Sequence, residues 1–255
     1  MRLTVVGSGT TAPHPGRVCA GHLVEAGETR VLFDCGSGVV HRLAELGLPW
    51  PRLTHVALTH FHYDHVGDLP ALIAALRWGQ MPARTDPLTL LGPVGTNAWL
   101  DRVAAAHGDW VRAPGYDLRV IELDANSRLA LPPDDLSLSV FPVPHTPESV
   151  AYSISSPRAR LVYTGDTAYD DALADWAARC DVLLTECSLP AALAIPEHLT
   201  PESAGALAAR AQPGRLVLTH FYPPVEVEDI PSLVRTRWPG PVMLAQDGTV
   251  IDLQE

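Results

Sequence analysis

The chain alternates short apolar runs with longer amphipathic stretches along its whole length. Short apolar runs bounded by turn residues predict strands, and stretches with apolar positions three or four residues apart predict helices. The predicted strands lie at about 2–6, 21–26, 30–34, 54–59, 87–91, 118–123, 136–143, 149–155, 160–163, 182–186 and 215–220, with a last strand after the turn at 245–249. The predicted helices lie at about 39–47, 66–76, 95–107, 170–179 and 201–211. Strands repeatedly precede helices, so we expect both faces of a sheet to be covered.

Residues that can bind a metal ion recur where the predicted strands end. The densest group is segment 60–65 (HFHYDH), which follows an apolar run. Side chains at i and i+2 of an extended segment point the same way, so His60 and His62 are expected to bind one ion. The chain then bends into a helix, so Asp64 and His65 must point elsewhere, which favours a second ion beside the first.

Three further candidate ligands follow other predicted strands, namely His145, Asp166 and His220. The simplest assignment adds His145 to the first pair and His220 to the second, with Asp166 bridging the two ions. Imidazole and carboxylate ligands favour two zinc ions, although manganese or iron accepts similar ligands. Two ions ~3.5–4 Å apart would lower the pKa of a bridging water toward ~7 and supply hydroxide at neutral pH.

Composition narrows the classes of function. Hydrophobic residues make up 47% of the 255 residues, as in globular proteins, and residues 1–255 are expected to form one domain. The formal net charge is −11 without an arginine-rich tail, so extended nucleic acid is a less expected partner than a small substrate. The chain has no signal-like start and no run of the ~20 apolar residues that cross a bilayer, so we expect a cytoplasmic protein without a membrane partner.

The order of these ligands resembles the metallo-β-lactamase superfamily, whose H-x-H-x-D-H motif, third histidine, bridging aspartate and last histidine all have counterparts. Within the superfamily the chain looks most like the ribonuclease Z branch. The segments that carry this closer resemblance are 7–13 (GSGTTAP) with Arg17, 163–167 (YTGDT), 185–188 (TECS), 198–200 (HLT) and 218–222 (LTHFY). The resemblance covers nearly the whole chain. It implies an α/β fold, a four-layer αββα sandwich of two mixed sheets with helices outside and a binuclear site along one edge.

The resemblance also implies roles beyond metal binding. In the ribonuclease Z family the pair corresponding to Glu186 and His198 helps to protonate the leaving oxygen, so Glu186 is expected to hold His198 as imidazolium. Asp64 is expected to orient or deprotonate the attacking water, and Arg17 to bind a substrate phosphate through its planar guanidinium. Family members often pair as dimers, so a homodimer is expected.

One departure from the family concerns the substrate. Ribonuclease Z enzymes that process transfer RNA commonly insert a long RNA-gripping arm between the third metal histidine and the bridging aspartate. Here only twenty residues separate His145 from Asp166. The expected function is therefore a binuclear phosphodiesterase that acts on a small, cyclic or short nucleotide-type diester.

Three alternatives stay open. The first is a ribonuclease Z-type transfer-RNA 3′ endonuclease. The second is a glyoxalase II-like thioesterase or other acyl hydrolase, which would use the same metals but would not need Glu186 and His198. The third is a non-enzymatic metal-bound scaffold, which is disfavoured because no expected ligand is missing.

Overall fold

A computed structural model describes residues 1–125, 127–131 and 135–253. The strands are β1 (Arg2–Gly7), β2 (Gly21–Ala26), β3 (Thr29–Phe33), β4 (His55–Ala57), β5 (Leu88–Pro93), β6 (Leu118–Leu123), β7 (Arg128–Ala130), β8 (Ser137–Pro142), β9 (Val150–Ser155), β10 (Arg160–Tyr163), β11 (Val182–Glu186), β12 (Arg215–Thr219), β13 (Val242–Leu244) and β14 (Val250–Asp252). The α-helices are α1 (Val39–Glu45), α2 (Tyr63–Val66), α3 (Leu69–Trp78), α4 (Thr96–His107), α5 (Asp171–Trp176), α6 (Pro201–Ala211) and α7 (Ile230–Arg235).

The described strands form two seven-stranded sheets, with the orders β14-β1-β2-β3-β4-β5-β6 and β13-β12-β11-β10-β9-β8-β7. Each sheet is antiparallel on one side and parallel on the other. Strands β3 to β6 run parallel in the first sheet, and β10 to β13 run parallel in the second. Because the carboxyl ends of parallel strands share an edge, the loops after them can meet and build a site.

The two sheets pack face to face, and helices cover their outer faces. Alternation along the strands produces this arrangement, because successive side chains point to opposite faces. Phe33 and Leu184 lie in the core between the sheets, whereas the adjacent Leu32 and Leu183 lie in the outer cores that pack against helices. The predicted four-layer αββα sandwich is confirmed. The expectation that both faces of a sheet are covered is also confirmed, because helices bury the outer face of each sheet and the other sheet buries its inner face.

Several predicted elements differ from the observed ones. The helix predicted at 66–76 is two helices, α2 and α3, which are separated at Gly67 and Asp68. Strand β4 ends at Ala57 rather than at residue 59, so His60 and His62 lie in the loop after it, whereas Asp64 and His65 lie in α2. Strands β7 and β13 and helix α7 were not predicted, since β7 and β13 have only three residues each with none fully buried, and α7 has only six residues. Among the described residues, no helix has the length and apolar character that a membrane crossing requires.

His22 of β2 is a fully buried imidazole with no hydrogen-bond partner at either ring nitrogen. Burial, together with the nearby His65 and His220, lowers its pKa from 6.5 to about 3. Between pH 6.5 and about 3, His22 therefore binds a proton in the unfolded chain but not in the folded chain. The free energy of unfolding consequently falls as the pH decreases through this range. We expect His22→Leu to remove a pH-dependent loss of unfolding free energy on the order of a few kcal/mol.

The measurement is urea unfolding from pH 7 downward for the wild type and His22→Leu, with both proteins freed of metal by chelation. Chelation makes protonation of the metal ligands common to both proteins, so the difference between their slopes isolates His22. Parallel pH dependences for the two proteins would contradict the prediction.

Candidate metal centre

Three imidazole nitrogens and one carboxylate oxygen converge beyond the carboxyl ends of the strands. Nε2 of His60 lies 3.0 Å from Nδ1 of His62, and Nε2 of His145 lies 3.1 Å from the same atom. Oδ2 of Asp166 lies 4.0 Å from Nε2 of His60 and 3.9 Å from Nε2 of His145. The structure thus brings together the predicted first group, although a loop rather than a strand aligns its first two histidines.

A second group lies on the other side of Asp166. Nε2 of His220 lies 3.3 Å from Oδ2 of Asp64 and 3.4 Å from Nε2 of His65. The second carboxylate oxygen of Asp166, Oδ1, lies 3.3 Å from Nε2 of His65 and 3.4 Å from Nε2 of His220. Asp166 therefore faces each group with a different oxygen, which is the arrangement that a bridging ligand needs.

The backbone is locally unusual where these ligands emerge. His220 directly follows β12 and has a φ of 58°, in the left-handed region that non-glycine residues rarely adopt. Gly165, which precedes Asp166, has a φ of 59°, and a Cβ there would lie 2.8 Å from the Cβ of Thr59. A side chain at position 165 would therefore clash with the histidine-bearing loop, so glycine is required for the close approach of the two sheets at the site.

The outward-facing nitrogens of two histidines point to groups that can only accept a hydrogen bond. Nδ1 of His65 lies 2.8 Å from Oδ2 of Asp34, and Nδ1 of His145 lies 3.1 Å from the backbone carbonyl of Glu197. A carboxylate and a carbonyl both require the imidazole hydrogen on Nδ1. When each ring is neutral, as a metal ligand must be, its lone pair is therefore on Nε2, which faces the centre.

Two hydroxyl groups select the same tautomer in the other rings. The hydroxyl of Thr59 donates to Asp34, so its oxygen accepts from Nδ1 of His60 at 3.0 Å. The hydroxyl of Ser188 likewise donates to Glu186 and accepts from Nδ1 of His220 at 2.9 Å.

These contacts orient His60 and His220 as Asp34 and the carbonyl of Glu197 orient the other two rings. In all four neutral rings the lone pair of Nε2 therefore faces the centre. Oriented imidazoles with convergent lone pairs, completed by carboxylates, are the donor set of a zinc site, so the residues fit a pair of metal ions.

The pKa shifts of the residues around the centre also indicate a site that favours a cation. Burial and the neighbouring His65 lower the pKa of His60 well below its usual value, which keeps its ring neutral. Burial also acts to lower the pKa of His65, but the carboxylates of Asp166 and Asp34 outweigh it and raise that pKa well above its usual value. Burial acts to raise the pKa of Asp64, yet the close contact of its Oδ2 with His220 and the charges of nearby histidines bring that pKa well below the ordinary range. Buried carboxylates that stay ionised need a nearby cation, which a bound metal supplies.

A histidine and a glutamate form a separate pair beside the two groups. Nδ1 of His198 lies 2.9 Å and 3.0 Å from the two carboxylate oxygens of Glu186, and 4.0 Å from Oδ2 of Asp166. Glu186 is almost fully buried and also accepts from the backbone amides of Thr167 at 2.7 Å and Leu199 at 3.1 Å. Burial acts to lower the pKa of His198, but the hydrogen bond and charge of Glu186 raise it to about 9.

Arg17 lies in a network of internal contacts. Its Nε donates to Glu226 at 2.6 Å, and its Nη1 donates to Ser8 Oγ at 2.6 Å and to the carbonyl of Ala245 at 2.7 Å. The guanidinium also lies 4.8 Å above the ring centre of Phe221. These contacts join three loops and leave little of the guanidinium for a substrate, so the predicted phosphate contact of Arg17 enters no step below.

Sequence analysis missed two residues that orient the candidate ligands, Asp34 and Ser188. Asp34 is fully buried and accepts from the amide of Thr59 at 2.8 Å, from the hydroxyl of Tyr163 at 2.8 Å and from His65. The sequence could have indicated Asp34, because it directly follows an apolar strand, as the candidate ligands do. The signal for Ser188 was weaker, since its role depends on a side chain from another strand end, His220.

We expect Asp34→Asn to weaken zinc binding by about 10–100-fold, because the neutral amide no longer fixes the Nδ1 hydrogen of His65 or adds negative charge to the centre. Competition with a coloured zinc chelator measures this affinity. Tyr163→Phe is the matched control, since it removes one hydrogen bond to Asp34 but keeps the carboxylate, and a smaller effect is expected. Unchanged zinc affinity in Asp34→Asn would refute the orienting role.

Known proteins resemble this chain over almost its full length. A family model described as a beta-lactamase superfamily domain matches residues 29–221. Ribonuclease Z of Mycobacterium bovis (strain BCG / Pasteur 1173P2) is 30% identical over 277 residues, which cover 97% of this chain and 96% of that protein. The metallo-beta-lactamase fold protein YhfI from Bacillus subtilis superposes with a TM-score of 0.85 at 24% identity and covers 98% of both chains. Human tRNase Z, short form (ELAC1), superposes with a TM-score of 0.81 at 25% identity and covers 100% of both chains.

These matches and the fold define the class of protein. The chain belongs to the metallo-β-lactamase superfamily and is a metal-dependent hydrolase with candidate histidine and aspartate ligands at the edge of its sandwich. Within that superfamily it belongs to the ribonuclease Z-like branch, as the order of its motifs predicted. In place of a projecting arm, the described residues between His145 and Asp166 form β9, a short turn and β10.

Proposed function

We propose that this protein is a phosphodiesterase that binds two metal ions, most favourably zinc, and hydrolyses a small, cyclic or short nucleotide-type phosphodiester. The observation that carries the proposal is the hydrogen-bonded pair of Glu186 and His198 beside the carboxylate shared by both ligand groups. Hydrolysis of a diester with a poor leaving group needs a proton donor on the departing oxygen. An acyl hydrolase that releases a thiolate has much less need of one, because a thiolate leaves easily.

Ligand groups on both sides of Asp166 would hold the ions. His60, His62 and His145 would hold the first, and Asp64, His65 and His220 the second. When bound, the two metal ions would supply Lewis acidity at phosphorus and hydroxide at neutral pH. Asp64 also has an oxygen directed at this space, and we propose that it orients the attacking water as a hydrogen-bond acceptor.

The protein's own proton transfer takes place at His198. Its Nδ1 hydrogen is held by Glu186, so Nε2 is the ring atom free to donate. As the new bond forms between the attacking oxygen and phosphorus, the bond from phosphorus to the leaving oxygen breaks, and Nε2 gives its proton to that oxygen. Glu186 stabilises the imidazolium before this step and keeps the ring oriented.

The charges of the loops favour a small substrate. The loops around the centre are 34–38, 58–68, 143–149, 164–171, 187–200, 220–228 and 245–249, and they contain neither arginine nor lysine. Loop 8–20 contains one arginine, Arg17, which is bound to Glu226. Binding along an RNA backbone depends on several lysine or arginine contacts to phosphates, and these loops do not supply them.

The second candidate is a transfer-RNA 3′ endonuclease. It is favoured by the 30% identity to a ribonuclease Z over nearly the whole of both chains. Substrate preference separates the two candidates, because they share the same centre and the same proton donor. A homodimer is part of either proposal, and light scattering after size-exclusion chromatography tests it.

The direct test supplies zinc- or manganese-loaded protein with four substrates: uridine 2′,3′-cyclic phosphate, bis-p-nitrophenyl phosphate, a transfer-RNA precursor and S-lactoylglutathione. We expect the highest kcat/KM on one of the two small diesters. A higher kcat/KM on the transfer-RNA precursor would select the endonuclease, and cleavage of the thioester alone would overturn the phosphodiesterase proposal. Metal analysis of the same samples should give two equivalents per chain.

A further inference from the structure

An apolar segment at the mouth of the candidate metal centre takes part in none of the steps above. Residues 191–196 (AALAIP) are all exposed, with Leu193 53% and Ile195 44% exposed. Consecutive exposed apolar residues are unfavourable on a protein surface unless they bind something. The question is which molecule covers them.

The segment is tied directly to the residues of the centre. The amide of His198 donates to the carbonyl of Ile195 at 3.3 Å. The backbone carbonyl of Glu197, two residues after Ile195, lies 3.1 Å from Nδ1 of the candidate ligand His145. The apolar segment therefore ends two residues before the proposed proton donor, and the residue that follows the segment contacts the first ligand group through its backbone carbonyl.

The base of the loop that carries the segment is equally well anchored. The amide of Ser188 donates to the carbonyl of Leu199 at 3.0 Å and closes the loop. The amide of Leu199 in turn donates to Glu186, and the hydroxyl of Ser188 donates to the same carboxylate. Because the loop is closed on the Glu186–His198 pair, its apolar residues are held close in the chain to the proposed proton donor.

We propose that residues 191–196 bind the organic part of the leaving group, and that this part is an uncharged apolar group such as an aromatic ring. The inference rests on the proposed function, because His198 marks the side on which the leaving oxygen departs. A group attached to that oxygen lies against side chains that are only Ala, Leu, Ile and Pro. A charged leaving group would lose water there without gaining a hydrogen-bond partner, which disfavours a leaving group that carries further phosphates.

The test compares two symmetrical diesters with leaving groups of similar size, diphenyl phosphate and bis(4-carboxyphenyl) phosphate. Zinc-loaded wild type is expected to bind diphenyl phosphate more tightly. Leu193→Ser and Ile195→Ser should each raise KM for diphenyl phosphate by about tenfold, since each removes an apolar contact. Neither variant should raise KM for the carboxylated diester, and kcat and metal content should stay unchanged. Met81→Ser is the matched control, because Met81 is 92% exposed and precedes β5 at the opposite end of the sheet.

Binding is also measured without turnover, by calorimetric titration of diphenyl phosphate into His198→Ala with and without Leu193→Ser. A weaker affinity in the double variant supports the inference. Equal KM changes for both diesters, or none, would overturn it. So would conversion of a dimer to monomer with both KM values unchanged, which would make the segment a contact with a second copy of the chain. Hydrolysis of uridine 2′,3′-cyclic phosphate without hydrolysis or binding of diphenyl phosphate would overturn the inference alone. Failure of the wild type to hydrolyse any of these small diesters would overturn the proposed function, and the inference with it.

Discussion

Replacing Asp166 with alanine is expected to remove metal from both ligand groups and to lower kcat/KM for a small diester by at least about 10³-fold. Each oxygen of Asp166 faces a different group, at 3.3–3.4 Å from His65 and His220 and at 3.9–4.0 Å from His60 and His145. Losing this carboxylate removes a ligand from both groups and leaves the imidazoles without the charge that draws a cation. Metal analysis of the purified variant and steady-state kinetics measure the two effects.

Asp166→Asn is the matched variant. It keeps the shape and one oxygen of the side chain, so we expect it to retain about one equivalent of metal while losing most activity. Circular dichroism of both variants distinguishes loss of metal from loss of fold. Two equivalents of tightly bound metal in Asp166→Ala would show that this carboxylate does not bridge the groups.

His198→Ala is expected to slow hydrolysis of diphenyl phosphate by ~10²–10⁴-fold while metal content stays unchanged. The physical reason is that Nε2 of His198 is the proposed proton donor for the leaving oxygen, whereas the proposed ligands of both groups and the bridging Asp166 are different side chains. Loss of metal in this variant would make His198 a structural residue of the centre.

Glu186→Gln is the companion variant. The amide keeps a hydrogen-bond acceptor for Nδ1 of His198 but withdraws the charge that stabilises the imidazolium. We expect a decrease in kcat in the same direction as for His198→Ala but smaller, with KM little changed. A full loss of folding in Glu186→Gln, measured by thermal unfolding, would instead assign the buried carboxylate to its amide contacts with Thr167 and Leu199.

The sequence carried most of the information about the centre because its ligands lie at strand ends, where apolar runs stop at polar residues. Segment 60–65 and the later His145, Asp166 and His220 could be grouped correctly from their order and type. Strand β4 ends at Ala57, two residues earlier than predicted, and His60 and His62 lie between it and α2, with His62 in an extended backbone conformation. Local periodicity could not show the earlier end of the strand, because the next two residues contact the other sheet: the carbonyl of Leu58 accepts from the hydroxyl of Tyr152, and that of Thr59 from the amide of Val150.

Contacts between distant segments explain what the sequence did not reveal. Asp34 looks like an ordinary residue after a strand until His65, Thr59 and Tyr163 are brought around it. The guanidinium of Arg17 looks free for a phosphate until Glu226, more than two hundred residues away, is found beside it. To derive the four layers from periodicity alone, one would have to know which faces of the two sheets pack against each other. Alternation along single strands does not specify which faces these are.

The most direct test of the account compares two leaving groups in the wild type and in His198→Ala. Phenolate is a much poorer leaving group than p-nitrophenolate, so only the diphenyl ester depends strongly on proton donation. The account predicts that His198→Ala slows diphenyl phosphate hydrolysis by ~10²–10⁴-fold but slows bis-p-nitrophenyl phosphate hydrolysis far less. Equal losses on the two esters, at unchanged metal content, would contradict the assignment of His198 as the proton donor of a phosphodiesterase.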